Sequence, residues 1–100
     1  MNYFLGIDPG YDRCGWAIIK SDGQNEFLYD YGVIITPKTL PFESRLVALR
    51  DGMLFMGDRD TGWTFTAAAV ERIFCGRNRT SAIETAEARG VILLTLRSDL

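Results

Sequence analysis

The sequence predicts an α/β domain built on a mixed sheet, and three features of its pattern carry that expectation. Three short apolar runs near the N-terminus are separated by tight-turn residues, as in an antiparallel meander. A one-faced apolar stripe at helical spacing follows. A fourth short run is then reached only through that helix, which is the crossover that parallel pairing requires. A second, longer helical stretch completes the order β-β-β-α-β-α, and helices laid on such a sheet make a layered α/β fold.

Each element has its own signal. Tyr3 to Ile7 is apolar and aromatic, ends at Asp8 and is stopped by Pro9-Gly10, so it reads as a buried strand with a turn after it. Gly15 to Lys20 (GWAIIK) is a second strand, Ser21 to Asn25 (SDGQN) a hairpin turn, and Phe27 to Thr36 a third strand closed by Pro37. Leu40-Pro41 opens a helix in which Phe42, Leu46, Leu49, Met53 and Met56 recur at three- and four-residue spacing. Gly52 inside it costs about 1 kcal/mol relative to alanine. Gly57 to Gly62 (GDRDTG) is a polar loop, and Phe65 to Val70 is a short strand that delivers Glu71. Ser81 and Glu84 have the S-x-x-E spacing of a capping box, predicting a helix from Ser81 with Ile83, Ala86, Gly90 and Leu93 or Leu94 on one face. No repeats, low-complexity tracts or linkers interrupt the chain, which reads as one domain over residues 1–100.

Composition narrows the function. Hydrophobic residues make up 47% and charged residues 24% of the 100, which fits a globular chain rather than a disordered one. No apolar run reaches the roughly 18 residues of a membrane span, and no basic stretch precedes an apolar one at the N-terminus. The net charge of −2 lacks the bulk signature of a nucleic-acid binder. Nine of the eleven cations are nevertheless arginine, with Arg72, Arg77 and Arg79 close together beside Glu71. Such a patch can attract phosphate locally, because fields act over about 10 Å at ordinary salt. Cys14 and Cys75 make neither a zinc pattern nor a disulfide framework, and read as reduced thiols of a cytoplasmic protein. With no histidine in the chain, the usual general base is missing, and carboxylates must carry any chemistry.

Two carboxylates qualify. Asp8 sits in GIDPG at the end of a strand, either as a functional carboxylate held by rigid β-structure or as a turn former that stops the strand. Glu71 follows AAAV; it reads as a site residue, or as an edge glutamate paired with Arg72 or Arg13. Together they form an oxygen-rich, histidine-free pair, which favours Mg²⁺ or Mn²⁺. Two such ions can flank a phosphate, activating water on one side and stabilising the leaving oxygen on the other. Phe74 is either a wedge against bases or a core residue closing the strand. Arg77 and Arg79 are suited to phosphates, with Asn78 as a turn or hydrogen-bonding residue, or else the three form a solvated loop. Trp16 and Trp63 read as packing residues rather than a binding platform.

Taken in order, GIDPG, YGVIITP, the LP-x-x-SRL helix start, AVERIFCGRN-x-x-(S/T)A and EARGV resemble the RuvC-type Holliday junction resolvases of bacteria. The likeness is collinear from Phe4 to about Leu94. It implies an RNase H-like fold, a homodimer and magnesium-dependent paired cuts in four-way junction DNA, in recombination and repair. It places Asp8 and Glu71 as the first two metal-binding, catalytic carboxylates. Phe74 then lies near the junction's opened bases, and Arg77 and Asn78 in the DNA-facing loop beside Arg79. The helix from Ser81 would contribute to dimer packing through Ala82, Ala86 and Gly90. Relatives of this kind also meet a branch-migration motor.

The family carries two further acidic residues on a C-terminal helix, after another strand and a basic segment. The chain stops at Asp99-Leu100, so the resemblance implies a domain lacking its last strand and helix. Asp99 is no substitute, since about 27 Å of helix separates it from Glu71; Asp12 and Glu84 are nearer but recommended only by proximity. An alternative function is a non-catalytic junction-binding or dimerisation module. A third reading, GIDPG as the phosphate loop of an actin-like or sugar-kinase fold, requires far more chain and a second lobe.

Overall fold

Alternating burial sets the first strand. In β1 (Asn2–Asp8), Leu5 and Ile7 are buried and point to one side of the sheet, while Asp8 ends the strand exposed on the other. The computed structural model describes residues 1–56, 64–73 and 79–100, with only the backbone of Arg79. β1 pairs antiparallel with β2 (Arg13–Ser21), placing Ile7 opposite Trp16 and Asp8 opposite Gly15. β2 pairs antiparallel with β3 (Glu26–Ile35), with an irregularity at Ile18/Ile19. The hairpin between them turns at Gly23, whose φ of 96° suits glycine. Asp22 Oδ1 accepts the backbone N–H groups of Gln24 and Asn25 at 2.9 and 2.7 Å, and these bonds hold its carboxyl below the ordinary value.

The crossover helix α1 (Phe42–Leu54) follows Pro41, whose missing N–H is no loss at a helix start. Leu49 and Met53 of its stripe are fully buried, and Met56 is buried just past its end. Gly52 has a packing reason: a Cβ there would lie 2.6 Å from Ile34 Cγ2, so α1 rests on β3 through a residue with no side chain. The chain returns as β4 (Ala67–Val70), parallel to β1 with Ile7 beside Val70, giving the sheet order β3-β2-β1-β4. The expected mixed sheet of a three-stranded meander plus one further strand is therefore present. β4 is shorter than the run from Phe65: ladder pairing begins at Phe4 with Ala67, while Thr66 donates its N–H to the Tyr3 carbonyl at 2.7 Å.

Helix α2 (Arg79–Ser98) begins two residues before Ser81. Ser81 therefore lies inside the first turn, not at the cap position that the S-x-x-E spacing assigned to it. Both helices share one core with the sheet, formed by Leu5, Ile7, Cys14, Ile18, Leu49, Met53, Met56, Ala88 and Ile92. Trp16 packs against that core over Gly32, as expected of a packing residue; Trp63 lies outside the described residues. Ile83, Ala86, Gly90, Leu93 and Leu94 are exposed, so the face they share points away from the sheet. The opposite side of the sheet carries Asp8 and the exposed Leu28, Tyr31, Val33 and Ile35.

Candidate active site

Asp8 and Glu71 come together because two adjacent strands end at the same level. Ile7 and Val70 are the last paired positions of the parallel ladder, and the Glu71 N–H donates to the Ile7 carbonyl at 3.0 Å. Asp8 and Glu71 are each the next residue along. Strand alternation sets both on the side opposite Ile7, away from the helices, and both are exposed.

Small residues keep the approach open. Asp8 lies across from Gly15, where a Cβ would come only within 3.7 Å of the Asp8 Cβ, and a Cβ on Gly6 would meet nothing within 4 Å. A shallow hollow of about 410 Å³ lies over Gly6, Asp8, Gly15, Ala17 and Gly32. The donor set suits a hard divalent cation: two carboxylates, exposed, with room for the waters that Mg²⁺ retains. Among the described residues, no cluster of three or more His, Cys, Asp or Glu is placed to hold a metal. The fit is thus to a cation held by this pair and solvent.

The alternative pairings of Glu71 are not present. Among the described residues the ion pairs are Arg45–Asp12 and Arg50–Asp51, so neither Arg72 nor Arg13 neutralises it. The main chain of Glu71 is held from α2, where Arg89 Nε donates to its carbonyl at 3.0 Å. Phe74, Arg77 and Asn78 lie outside the described residues. Arg79 opens α2, but its side chain also lies outside them.

Cys14 is a free thiol beneath the turn that follows Asp8 and is 1% exposed. Burial pushes it up from 9.0 to about 11; a hydrogen bond to the Gly10 backbone opposes the shift, and the Asp8 charge adds to it. A folded-state value above the unfolded one stabilises the fold fully below the unfolded value, and this contribution is lost as pH rises through the folded one. Between about pH 9 and 11, the unmodified chain should therefore lose on the order of 2 kcal/mol more stability than Cys14→Ala. Urea unfolding across that range measures the difference, and parallel pH profiles for the two proteins would contradict the burial. Cys75 lies outside the described residues.

The sequence pattern gave no notice of a second cluster, at the far side of the same turn. Arg45 of α1, its side chain 11% exposed, donates from Nη2 to Asp12 Oδ1 at 2.6 Å and from Nε to Thr36 Oγ1 at 3.0 Å. Its guanidinium lies 5.0 Å from the centre of the Tyr11 ring. Periodicity alone cannot single out Arg45, because a residue beside the apolar stripe reads as solvated.

An open sheet in the order β3-β2-β1-β4, with carboxylates at the ends of its one parallel pair, β1 and the edge strand β4, places the chain in the RNase H-like class of α/β folds. Solved structures agree on the fold. The chain is similar to Thermus thermophilus RuvC, with a TM-score of 0.75 at 25% identity over 93% of this chain and 56% of that one. It is likewise similar to T. thermophilus RuvC in complex with Holliday junction substrate, with a TM-score of 0.77 at 22% identity over 95% and 57%. The family model of crossover junction endodeoxyribonuclease RuvC matches residues 4–99, and the chain belongs to that family. The crossover junction endodeoxyribonuclease RuvC of Chloroflexus aggregans is 40% identical over 92 residues, which are 92% of this chain and 54% of that protein. The RuvC of Petrotoga mobilis is 38% identical over 97 residues, 95% of this chain and 56% of that protein. The chain thus spans about half the length of the curated relatives it matches. Among the described residues, no helix is long and apolar enough to cross a membrane.

Proposed function

We propose that this chain supplies the first two metal ligands of a structure-selective endonuclease that resolves four-way DNA junctions by Mg²⁺-dependent hydrolysis. The observation that carries the reading is the placement of Asp8 and Glu71 side by side at the ends of adjacent parallel strands. Bound Mg²⁺, or Mn²⁺ in its place, supplies Lewis-acid neutralisation of charge at a phosphate. The chain's own part is to hold the two carboxylates on a rigid ladder and to leave glycine beside Asp8, so that a phosphodiester can approach. Arg77 and Arg79 hold backbone phosphates in this reading, with Asn78 as a turn or hydrogen-bonding residue beside them, and Phe74 lies near the opened bases. The solved relative bound to a Holliday junction substrate supports the choice of junction DNA.

The outward face of α2, with Ile83, Leu93 and Leu94 exposed and open space at Gly90, supports a homodimer. A cytoplasmic location and engagement with a branch-migration motor belong to the same proposal, on family grounds. A second reading draws on a specific observation. The described residues bring no third metal-binding side chain to the pair, which favours junction binding without cutting by these residues alone. Such binding weakens steeply with salt as counterions are released.

A cleavage assay with a synthetic four-way junction in Mg²⁺ tests both. In a chimaera, this chain replaces the matching residues of the C. aggregans relative. The chimaera is expected to cut the junction and spare linear duplex, while the isolated chain shifts the junction in low salt and cuts at least about 100-fold more slowly. A chimaera that leaves the junction intact, or cuts duplex equally well, overturns the endonuclease reading; equal cutting by the isolated chain overturns the incomplete site.

A further inference from the structure

The turn that carries the chain from Asp8 back into β2 is bound to elements well separated from it in sequence. We propose that Arg45 is a positioning residue for Asp8, acting through that turn; the inference rests on the reading of Asp8 as a metal ligand. The turn is short, with β1 ending at Asp8 and β2 beginning at Arg13, so displacement of Tyr11 or Asp12 is passed to Asp8 through very few bonds. It is also tight, since a Cβ on Gly10 would fall 2.2 Å from the Arg13 carbonyl oxygen.

Three hydrogen-bonded attachments and one ring contact converge on it. The Asp12 carboxylate receives Nη2 of Arg45 at 2.6 Å. The Tyr11 carbonyl accepts the hydroxyl of Thr36, which in turn accepts Nε of Arg45 at 3.0 Å. The Thr36 N–H donates to the Asp12 carbonyl at 3.2 Å. The Tyr11 ring packs edge-on against Phe42 at 5.5 Å, with the Arg45 guanidinium 5.0 Å from its centre. Arg45 therefore links α1, the end of β3 and the turn in one network. Its planar fork is suited to two acceptors at once, which a lysine ammonium would meet only as a point charge. Thr36 is 1% exposed, and burial raises the cost of leaving any member unpaired.

The sign of the effect separates positioning from simple electrostatics. Removing a cation from the neighbourhood of Asp8 should strengthen metal binding if charge alone matters. Losing the attachment of the turn should weaken it, since partners that orient a metal ligand are each worth about 10–100-fold in affinity. The test measures Mn²⁺ affinity of the full 100-residue chain by water-proton relaxation, well below the melting temperature, with thermal unfolding in parallel. Arg45→Met is expected to bind Mn²⁺ about tenfold more weakly despite losing a positive charge, with Arg45→Lys intermediate. Thr36→Val, which changes no charge, is expected to shift affinity in the same direction. If Arg45→Met does not fold, Arg45→Lys and Thr36→Val decide the matter. Unchanged or tighter Mn²⁺ binding in the folded variants, with only the melting temperature lowered, overturns the inference and leaves Arg45 a packing residue. Asp8→Asn is the separate control. If it binds Mn²⁺ as tightly as the unmodified chain, the metal site itself is misassigned and the role of Arg45 falls with it.

Discussion

Asp8→Asn in the chimaera is expected to reduce junction cutting about 1,000-fold, or roughly 4 kcal/mol of barrier, while leaving junction binding within a factor of about three. The two effects separate because the substitution preserves the shape of the side chain and removes its charge. In the proposed site a hard cation would lose one of its two carboxylate ligands, whereas the proposed contacts to the DNA backbone would be untouched. Asp12, four residues along the turn, is no ready substitute, because it is already engaged by Arg45 at 2.6 Å. Glu71→Gln should behave in the same way, and the double variant should be little worse than either single one, as for groups that act as a unit. The measurement is single-turnover cleavage of a labelled four-way junction, beside a gel shift in Ca²⁺ or without metal. Loss of binding in proportion to cutting would show that Asp8 holds the structure rather than the ion.

What made Asp8 and Glu71 legible in the sequence was their position at strand ends. A crossover helix between the third and fourth strands forces the fourth to run parallel to a neighbour, and parallel strands end on the same side of a sheet. Which neighbour it joins was not readable; the ladder of Phe4–Ile7 with Ala67–Val70 supplies that. The three alanines of β4 are exposed on an edge strand, and hydrophobicity gives little guide to where such an edge begins. Its start accordingly falls two residues later than the apolar run suggests.

Helix α2 shows where periodicity cannot decide. Residues 91–96 (VILLTL) are apolar or nearly so on every side, and the stripe through Ile83, Leu93 and Leu94 looks at least as good as its rival. The structure buries Ala88, Ile92 and Thr95 instead. Thr95 fits an apolar interior because its hydroxyl donates to the Val91 carbonyl at 2.8 Å within the helix, so no polar group is left unpaired. A polar residue satisfied by its own helix is easily assigned to the wrong face. The Arg45 network escaped for a related reason: its members lie 9 and 33 residues apart in sequence, and only the folded chain brings them together. For Phe74, Arg77 and Asn78, residue type left a nucleic-acid contact and a core or solvated-loop role both open, and only the family resemblance favoured the first, since no feature of spacing separates a DNA-facing loop from a solvated one.

Gly10→Ala should be the most damaging single methyl group that can be added near the site. The residue reads in the sequence as half of a Pro-Gly turn signal, which would commonly mean a backbone conformation that only glycine adopts. The structure gives a different cause: among the described residues, Gly23 is the glycine with positive φ, and Gly10 is required because its α-carbon faces the Arg13 carbonyl. A Cβ there would sit 2.2 Å from that oxygen and 3.2 Å from the carbonyl carbon, and backbone atoms cannot yield as the end of a side chain does. Relief requires the turn to open by about 1 Å, at a cost of about 1–3 kcal/mol in stability. The same displacement at the strand end that carries Asp8 should slow junction cutting by the chimaera about 100-fold. Gly6→Ala is the matched comparison on the same strand, since its Cβ would meet nothing within 4 Å, and its stability should be unchanged or slightly higher. Cleavage rates read at a temperature where both variants are folded, together with their denaturation midpoints, test the pair. A Gly10→Ala protein as stable as Gly6→Ala and as active as the unmodified chimaera would mean that the turn accommodates the methyl without moving Asp8, and that its tight geometry has no part in holding the carboxylate.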